Sequence, residues 1–445
     1  MYFTILPDIT SQIIKDLIKE HQEIKLPRYK KLMQYYKAVH DILDRTNEDV
    51  SLPNNKLVND YPGYIIDTIQ GYFIGIPVQY ATEKDEKFLT DLLDAYEDNN
   101  EADHNAEIAK YMGIYGEAFE LLYLTAKSEI RFIRLKNEET LIVFDSGFQK
   151  SVQLALRYYS LYDATLKKEI TKVELYLPDR VEYYDQDGEN YKLEKSVPHY
   201  FGKVPVIYYN NNDECMGDFE KQISLIDDYD RRVSDNSNEL EAFRNSYLKI
   251  KNISGTTTED IKDMKKNGVI LVEGDGDAGF LDKTVNDDYA EHHLVRLDNN
   301  IHKFSKVPNL SDESFAGNLS GVAIKYKLWP VEQVAVCKER KFKTGLKRRI
   351  KLISTIFNIK GKNYNWKDIG ITLKRNIPAN ILELSEVTGN LKGIVADETL
   401  LALLPFVEDV QKELERIKLE QVDSLPYSKT FKTAPSVTGD ANGQK

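Results

Sequence analysis

Apolar residues in the first part of the chain recur at three- and four-residue steps, the spacing of amphipathic helices. A further helix is marked by its ends, because Asp60 can cap it, Pro62 suits a first turn, and Gly75 and Pro77 stop it. The other helices predicted in this region cover residues 10–22, 28–45, 84–98 and 101–115.

After Gly113 the chain changes to short strand-like runs. These runs lie at residues 129–135, 140–144, 152–159 and 170–177. Asp187-Gly188 stands between two more of them, which is the signal of a β-hairpin. Residues 1–215 are therefore expected to form helices followed by a mostly antiparallel sheet, an α+β body.

A near-heptad spacing distinguishes the helix predicted from about Phe219 to Asn245. A seam this narrow is typical of a helix that packs against another helix, and a polar residue within it favours one register. An ordinary core helix is the alternative. The seam consists of Ile226, Tyr229, Val233, Asn236, Leu240 and Phe243.

Residues 247–284 interrupt the helical pattern. Two strands are predicted there, at 247–251 and 269–273, followed by a tight solvated turn over Gly274–Gly279. The turn is rich in Asp and Gly, but it lacks the later acidic ligands of a calcium loop and the Lys-Ser/Thr of a phosphate loop. A helix then returns, with Leu294, Leu297, Ile301 and Phe304 on one apolar face.

The rest of the chain is arranged around the stretch that follows this helix. Pro308 is expected to end the helix, because the residue before a proline is driven out of the α region. Asn309–Ser320 has small and amide residues without periodicity, which indicates a loop. Ser320 can then cap a helix that runs to about Phe357, with a kink or an interruption at Pro330.

The far half of this last helix carries a concentration of positive charge. This basic band has two interpretations: a surface that faces DNA, or a solvated face that complements the helix dipole and acidic neighbours. The second is preferred. The band consists of Lys338, Arg340, Lys341, Lys347, Arg348 and Arg349.

The last part of the chain is expected to contain a strand and then helices. Residues 369–378 are predicted to return as a strand to the main body, and residues 380–421 to be helical and acidic. From Thr430 onwards the residues are mostly small and polar, which indicates disorder.

Composition restricts the function more than the fold. The chain has 445 residues and a net charge of −12, so few cations are spare for gripping phosphates, although such a protein could still surround DNA. It has no run of about 18 apolar residues that would span a membrane. Cys215 and Cys337 have no metal-site spacing, and synthesis in a reducing, intracellular compartment is expected. No motif for binding ATP or for nucleophilic or zinc catalysis is present, which disfavours an enzyme and predicts no cofactor or metal.

Four stretches of the sequence resemble, in the right order, the portal proteins of tailed bacteriophages, and the type of Gram-positive siphophages most of all. The stem-like run Ile-Asp-Asp-Tyr-Asp-Arg-Arg-Val-Ser-Asp-Asn-Ser-Asn-Glu-Leu-Glu-Ala-Phe is the strongest match. The loop words are Pro-Asn-Leu-Ser-Asp-Glu-Ser-Phe and Asn-Leu-Ser-Gly-Val-Ala-Ile-Lys-Tyr-Lys-Leu. The other two stretches lie at residues 54–78 and 115–120.

The resemblance implies the portal fold, an α+β fold that assembles as a ring, usually of twelve subunits. The implied parts are a wing at 1–218, a stem helix at 219–246, a clip at 247–285, a second stem helix at 286–307, a channel loop at 308–320, a kinked wing helix with a returning strand at 321–379, a crown at 380–425 and a disordered tail at 426–445. The seam would then lie between subunits. The implied DNA-facing loop residues are Asn309, Leu310, Ser311, Asp312, Glu313, Ser314, Phe315, Asn318 and Leu319.

The resemblance also implies a function. Double-stranded DNA would enter and leave the capsid through the ring, at one vertex of a virion assembled in the host cytoplasm. The implied partners are the terminase large subunit, scaffolding and major capsid proteins, and a head-completion adaptor. Two alternatives remain at this point: an intracellular oligomeric scaffold without a role in DNA translocation, and a loop that packs against its own subunit.

Overall fold

The computed structural model describes residues 2–3, 9–49, 52–148, 150–163, 168–243, 248–251, 257, 259, 262, 277–280, 287–310, 321–377, 381–404, 406–407 and 410–423. The chain divides into two compact units. The larger comprises Met1–Asp312 and Lys327–Asn376, and the smaller comprises Glu313–Tyr326 and Ile377–Lys445. In the described part of the chain, none of the helices has the length and apolar character needed to cross a membrane.

The described helices are numbered in chain order. They are α1 Ser11–Glu20, α2 Leu26–Tyr36, α3 Tyr61–Ile74, α4 Glu86–Glu97, α5 Glu101–Tyr115, α6 Ile223–Phe243, α7 Asp287–Ser305, α8 Gly321–Ile359, α9 Ile381–Leu391, α10 Asp397–Leu401 and α11 Val410–Asp423. A π-helical turn, His21–Lys25, joins α1 to α2.

The strands form two larger sheets and two strand pairs. They are β1 Tyr2–Phe3, β2 Gln79–Ala81, β3 Glu117–Leu124, β4 Ile130–Leu135, β5 Thr140–Phe144, β6 Val152–Asp163, β7 Lys168–Tyr176, β8 Arg180–Asp187, β9 Asn190–Pro198, β10 Val206–Asn210, β11 Leu248–Lys251, β12 Asp277–Phe280 and β13 Gly370–Thr372. One sheet has the order β1-β5-β6-β7-β8-β9 and the other β10-β3-β4, while β11 pairs with β12 and β13 with β2. All pairs are antiparallel except β1 with β5.

The core of the larger unit is layered around the β5–β7 region of the first sheet. Because neighbouring residues of a strand face opposite sides, β5 contributes to two clusters. Leu141 and Val143 pack on the side of α1, with Ile14 and Ile18. Residues such as Ile142 pack on the other side against the β10-β3-β4 sheet. The result is a mixed α+β body, as the sequence predicts.

The smaller unit is helical in its described part. Leu400 of α10 is buried, and Gln411 of α11 donates a hydrogen bond to Glu398 over 2.7 Å. The predicted helical stretch 380–421 corresponds to α9, α10 and α11, the last of which extends to Asp423.

Several local predictions are confirmed. The side chain of Asp60 accepts a hydrogen bond from the Gly63 N–H and caps α3, whose C-terminal cap is Gly75. The Asp187-Gly188 hairpin joins β8 to β9. Within the described part of the strand predicted over residues 369–378, only Gly370–Thr372 forms, as β13, which pairs with β2.

The N-terminal helices differ from the prediction in two ways. No gap separates them, because the π-helical turn fills residues 21–25. The second helix was predicted to reach residue 45, but α2 ends at Tyr36, and Ala38 has a φ of 54°. The physical reason is tertiary: the chain turns so that the ring of His40 reaches a buried carboxylate on α6.

Three further predictions are corrected. The helix α8 continues through Pro330 without interruption, since Pro330 lies at an exposed position where water can replace the lost backbone partner. Asp277–Gly279 belong to β12 rather than to a turn, because β11 supplies a pairing edge. The helix α7 ends at Ser305, before Pro308, because Lys306 adopts a left-handed φ of 63°.

Candidate functional site

The helices α6 and α7 pack against each other in the larger unit and lead to the predicted loop at Pro308. Ile226 on α6 and Ile301 on α7 are both fully buried within the single chain. The His293 Nε2 atom on α7 lies 3.2 Å from a carboxylate oxygen of Asp228 on α6. The two helices therefore form one structural element, called here the helix pair.

An extended segment, residues 54–60, lies along α6 and is hydrogen-bonded to it at every second residue. Backbone N–H groups of the segment donate to polar side chains that are spaced four residues apart on the helix. Two residues of extended chain span about 6.6 Å and four residues of helix rise about 6 Å, so the two spacings match. The bonds run from Asn55, Leu57 and Asn59 to Asn238, Ser234 and Asp230, with N···O distances of 2.6, 2.9 and 2.8 Å. We call these three contacts the polar ladder.

Asp230 is the fully buried end of the polar ladder. Its Oδ1 atom accepts hydrogen bonds from both the backbone and the side-chain amide of Asn59. Its Oδ2 atom lies 2.5 Å from Nδ1 of His40, whose ring stacks on Tyr35 at a centroid distance of 4.6 Å. This single carboxylate thus ties α6 to the end of α2 and to the segment before α3.

The first turn of α3 contacts the other member of the helix pair. The Tyr61 hydroxyl donates to Asp298 of α7 over 2.7 Å, and the ring packs edge-on against Tyr229 of α6. Burial and the hydrogen bond to Asp298 raise the pKa of Tyr61 above its usual value, so the hydroxyl remains a donor. The ring of His302 lies edge-on to the rings of Tyr61 and Tyr64.

Tyr64 lies beside the residues that open the predicted loop. Its hydroxyl donates to the Pro308 carbonyl over 2.8 Å and accepts from the Leu310 N–H over 2.9 Å. One phenol thus bonds to the chain on both sides of residue 309. The beginning of the loop is held by α3 as well as by α7.

The strand β3 holds α2 and α8 in place through a buried carboxylate on each of its faces. Glu117 and Glu120 are three positions apart, so their side chains point to opposite sides of the strand. Glu117 pairs with Lys25 and accepts from the Tyr29 hydroxyl over 2.5 Å. Glu120 pairs with Arg349 of α8, whose Nε atom lies 2.7 Å from the carboxylate.

Arg349 is at the centre of this second ion pair and has no exposed surface. Its guanidinium also donates to Asn105 over 2.8 Å and lies 3.2 Å from a carboxylate oxygen of Glu101. Burial alone would raise the pKa of Glu120, but the Arg349 charge and hydrogen bonds from His104 and Tyr209 outweigh it and lower the pKa to about 2. Glu120 is therefore a carboxylate at neutral pH.

The position of Gly116, between α5 and β3, requires a glycine. Its φ is 83°, which disfavours any side chain, and a Cβ atom there would lie 2.0 Å from the Cys215 carbonyl oxygen. The glycine lets α5 pass directly into β3, and Glu117 and Glu120 follow at once. This stretch is one of the four that carry the resemblance.

The contacts of residues 54–64, 115–120 and 226–241 coincide with the stretches that resemble portal proteins. The model of the family described as "Phage portal protein, SPP1 Gp6-like" matches residues 15–426. The chain belongs to this family of phage portal proteins. The resemblance to phage portal proteins found in the sequence is confirmed.

Two portal proteins illustrate the similarity. The portal protein of Bacillus phage SPP1 is 28% identical over an aligned length of 445 residues, and the match covers 93% of this chain and 86% of that protein. The portal protein of Clostridium phage phiCD119 is 24% identical over an aligned length of 420 residues, and the match covers 87% of this chain and 91% of that protein. The similarity therefore extends over nearly the whole length of each.

The residues of the predicted seam on α6 differ in how far they are buried within the single chain. Ile226 is fully buried inside the subunit, whereas Leu240 is 69% exposed. Tyr229, Val233 and Asn236 are partly exposed. Phe243 is the last residue of α6. The exposed end of the helix is thus the part that a second subunit can reach.

The basic band does not form one surface. Lys338 and Arg349 are buried in ion pairs with Asp218 and Glu120, so neither lies where DNA could contact it. Successive residues of a helix point about 100° apart, which is why a run of cations along the chain is distributed between core and surface. The other members are Lys341, which pairs with Asp213; Arg348, which donates to the Val204 carbonyl; and Arg340 and Lys347, which are exposed.

Only the beginning of the predicted channel loop falls within the described residues. Leu310 is 48% exposed, and the backbone of residues 308–310 is placed by Tyr64. The other predicted loop residues lie outside the described residues, as does Ser320, the predicted cap of α8. They are Ser311, Asp312, Glu313, Ser314, Phe315, Asn318 and Leu319.

Proposed function

We propose that copies of this chain form a ring at one vertex of the capsid, through whose axis double-stranded DNA is packaged and ejected. The observation that carries the proposal is the match of residues 15–426 to a family of structural phage proteins. The buried contacts of the helix pair with α3 support it, because they give each subunit a stiff element that ends at residue 310. Twelve subunits in the capsid is the number we propose.

The proposed parts follow the sequence boundaries. Residues 219–246 and 286–307 are the stem, which includes the helix pair, and residues 1–218 and 321–379 are the wing. Residues 247–285 are the clip, where the terminase large subunit and later a head-completion adaptor dock. Scaffolding and major capsid proteins surround the wing, and residues 380–425 form the crown. Assembly takes place in the host cytoplasm, and the mature location is the portal vertex of the virion.

Replacing Leu240 with aspartate should break the ring while leaving the subunit folded. Leu240 is exposed in the single chain, so a charge there has little effect on the fold, but in a subunit interface it would cost several kcal/mol. The measurement is native mass determination together with negative-stain microscopy. The unchanged protein should give closed rings, and the variant should give single subunits with unchanged far-ultraviolet circular dichroism.

The matched control for this experiment is Ile24→Asp, at a position on the π-helical turn between α1 and α2 that is 64% exposed. It should assemble normally. Rings of ordinary mass from Leu240→Asp would exclude this end of α6 from the interface. If the unchanged protein were a single subunit at every concentration, the proposed ring itself would be wrong.

We further propose that residues 309–319 face the DNA. Asp312 and Glu313 would repel phosphates at the narrowest part of the channel, and lysines in their place would create phosphate contacts. The Asp312→Lys, Glu313→Lys double variant should assemble into rings, because loops tolerate changes of surface. The DNA content of particles built with it should fall.

A charge-matched control is the double variant Asp187→Lys, Glu194→Lys, whose positions are exposed on the β8–β9 hairpin. It should leave DNA content unchanged. Normal filling with the loop variant would indicate that the loop packs against its own subunit and does not meet the DNA.

A further inference from the structure

The hydroxyl of Tyr64 bonds to the backbone just beyond the end of α7. Beyond Ser305 the backbone leaves the helix, because Lys306 has a left-handed φ of 63°. The backbone after this point is outside the helix, so its polar groups take their partners from elsewhere. The phenol provides two partners at once, as a donor to the Pro308 carbonyl and as an acceptor from the Leu310 N–H.

The surrounding contacts hold Tyr64 at a defined height along α7. Tyr61, one helical turn earlier on α3, bonds to Asp298, so α3 is fixed to α7 at two levels. The ring of His302 packs edge-on against Tyr64 at 5.5 Å, and its Nδ1 atom lies 3.0 Å from the Val307 carbonyl. The end of α7, the following turn and α3 therefore move as one body.

We propose that Tyr64 is a positioning residue for the DNA-facing loop. Its hydroxyl sets the place at which the chain leaves the body after Leu310, so that every subunit of a ring presents its loop at the same level. This inference rests on the proposed function, because it assigns a residue to the loop's alignment on the DNA. Tyr64, Pro308 and Leu310, which form these hydrogen bonds, all lie within the residues that the structure describes.

The test uses Tyr64→Phe in the full-length, assembled ring. Phenylalanine keeps the ring packing against His302 and removes only the hydroxyl. Hydrogen exchange of a peptide that contains Leu310 should become about tenfold faster, since one net hydrogen bond corresponds to up to roughly this factor. Exchange in the rest of α3 should stay the same, rings should form, and the fraction of DNA-filled particles should decrease.

The matched control is Tyr72→Phe, which removes a hydroxyl from the same helix. Tyr72 donates to Glu332 of α8 over 2.7 Å and does not bond to residues 308–310. This variant should leave the exchange of the Leu310 peptide and the filling of particles unchanged. An equal effect of both variants would mean that Tyr64 acts through general stability, which would overturn the proposal.

Three other outcomes separate this inference from the proposed function. Unchanged exchange at Leu310 in Tyr64→Phe overturns the positioning role. The positioning role is also overturned if Tyr64→Phe gives faster exchange with normal filling while the Asp312→Lys, Glu313→Lys variant fills poorly. The loop would then meet DNA without needing the Tyr64 hydroxyl. Normal filling by both variants would instead reject the DNA-facing role of the loop.

Discussion

Replacing Arg349 with methionine is expected to lower the free energy of unfolding by about 3–5 kcal/mol. The side chain is fully buried, and it balances the charge of Glu120, which is equally buried, and that of Glu101. Methionine has a similar length and no charge, so the carboxylates would remain in the core without their cation. Removing one partner of a buried pair leaves a charge that neither water nor protein compensates.

Urea denaturation followed by circular dichroism measures this loss. Lys347→Met is the control, since Lys347 is exposed on the same helix, and its effect should be about 0.5 kcal/mol or less. Adding Glu120→Gln to Arg349→Met should restore part of the stability, because the charge that lacked a partner is then gone. Equal losses from Arg349→Met and Lys347→Met would show that the buried ion pair contributes little.

Asp230→Ala should cost about 3 kcal/mol and loosen α6 from the body. The carboxylate accepts two hydrogen bonds from the partly buried Asn59 and contacts the buried His40, and all three groups would lose this partner. Unsatisfied buried donors each cost about 1–3 kcal/mol, although the costs overlap within one cluster. The expected result is a lower unfolding midpoint, with faster hydrogen exchange in residues 54–60.

Asp235→Ala provides the comparison on the same helix. Asp235 pairs with Arg45 over 2.7 Å, but its side chain is 38% exposed, so the change should cost about 1 kcal/mol or less. Exchange in residues 54–60 should be unaffected by it. If Asp230→Ala left that exchange unchanged, the buried carboxylate would not be what holds the segment on α6.

Local signals in the sequence were sufficient to predict the elements whose ends are set by nearby residues. Asp60 caps α3 through a bond three residues away, and Asp187-Gly188 forms its hairpin with adjacent strands. Such features depend on backbone conformation close to the residue concerned. The family was likewise recognised from short stretches, and the comparisons confirm it.

Features that depend on distant partners were not predicted. The end of α2 is set by His40 and Asp230, which are 190 residues apart in the chain. The strand β12 exists because β11 pairs with it, although Gly279 in its sequence favours a turn. Arg349 is charged like its neighbours in the sequence, and only the position of Glu120 makes it a core residue.

A weak signal for the polar ladder is nevertheless present. Asp230, Ser234 and Asn238 repeat every four residues on α6, while Asn55 and Asn59 occupy alternating positions of an extended segment. Either pattern alone is typical of a solvated surface. The pairing of the two patterns could not be predicted, because no local rule relates the two-residue spacing of the extended segment to the four-residue spacing of α6.

The polar ladder also restricts which insertions and deletions the gene can tolerate. One residue added between Asp230 and Asn238 would turn the later position about 100° around the helix, and one added between Asn55 and Asn59 would reverse its backbone N–H. Neither change can be absorbed locally, because the three positions on α6 and the three positions on the extended segment must stay in register with each other. Relatives that keep the ladder should therefore share these two lengths without gaps. A peptide tag is better placed at the exposed Gly188-Glu189 turn, where added residues meet only water.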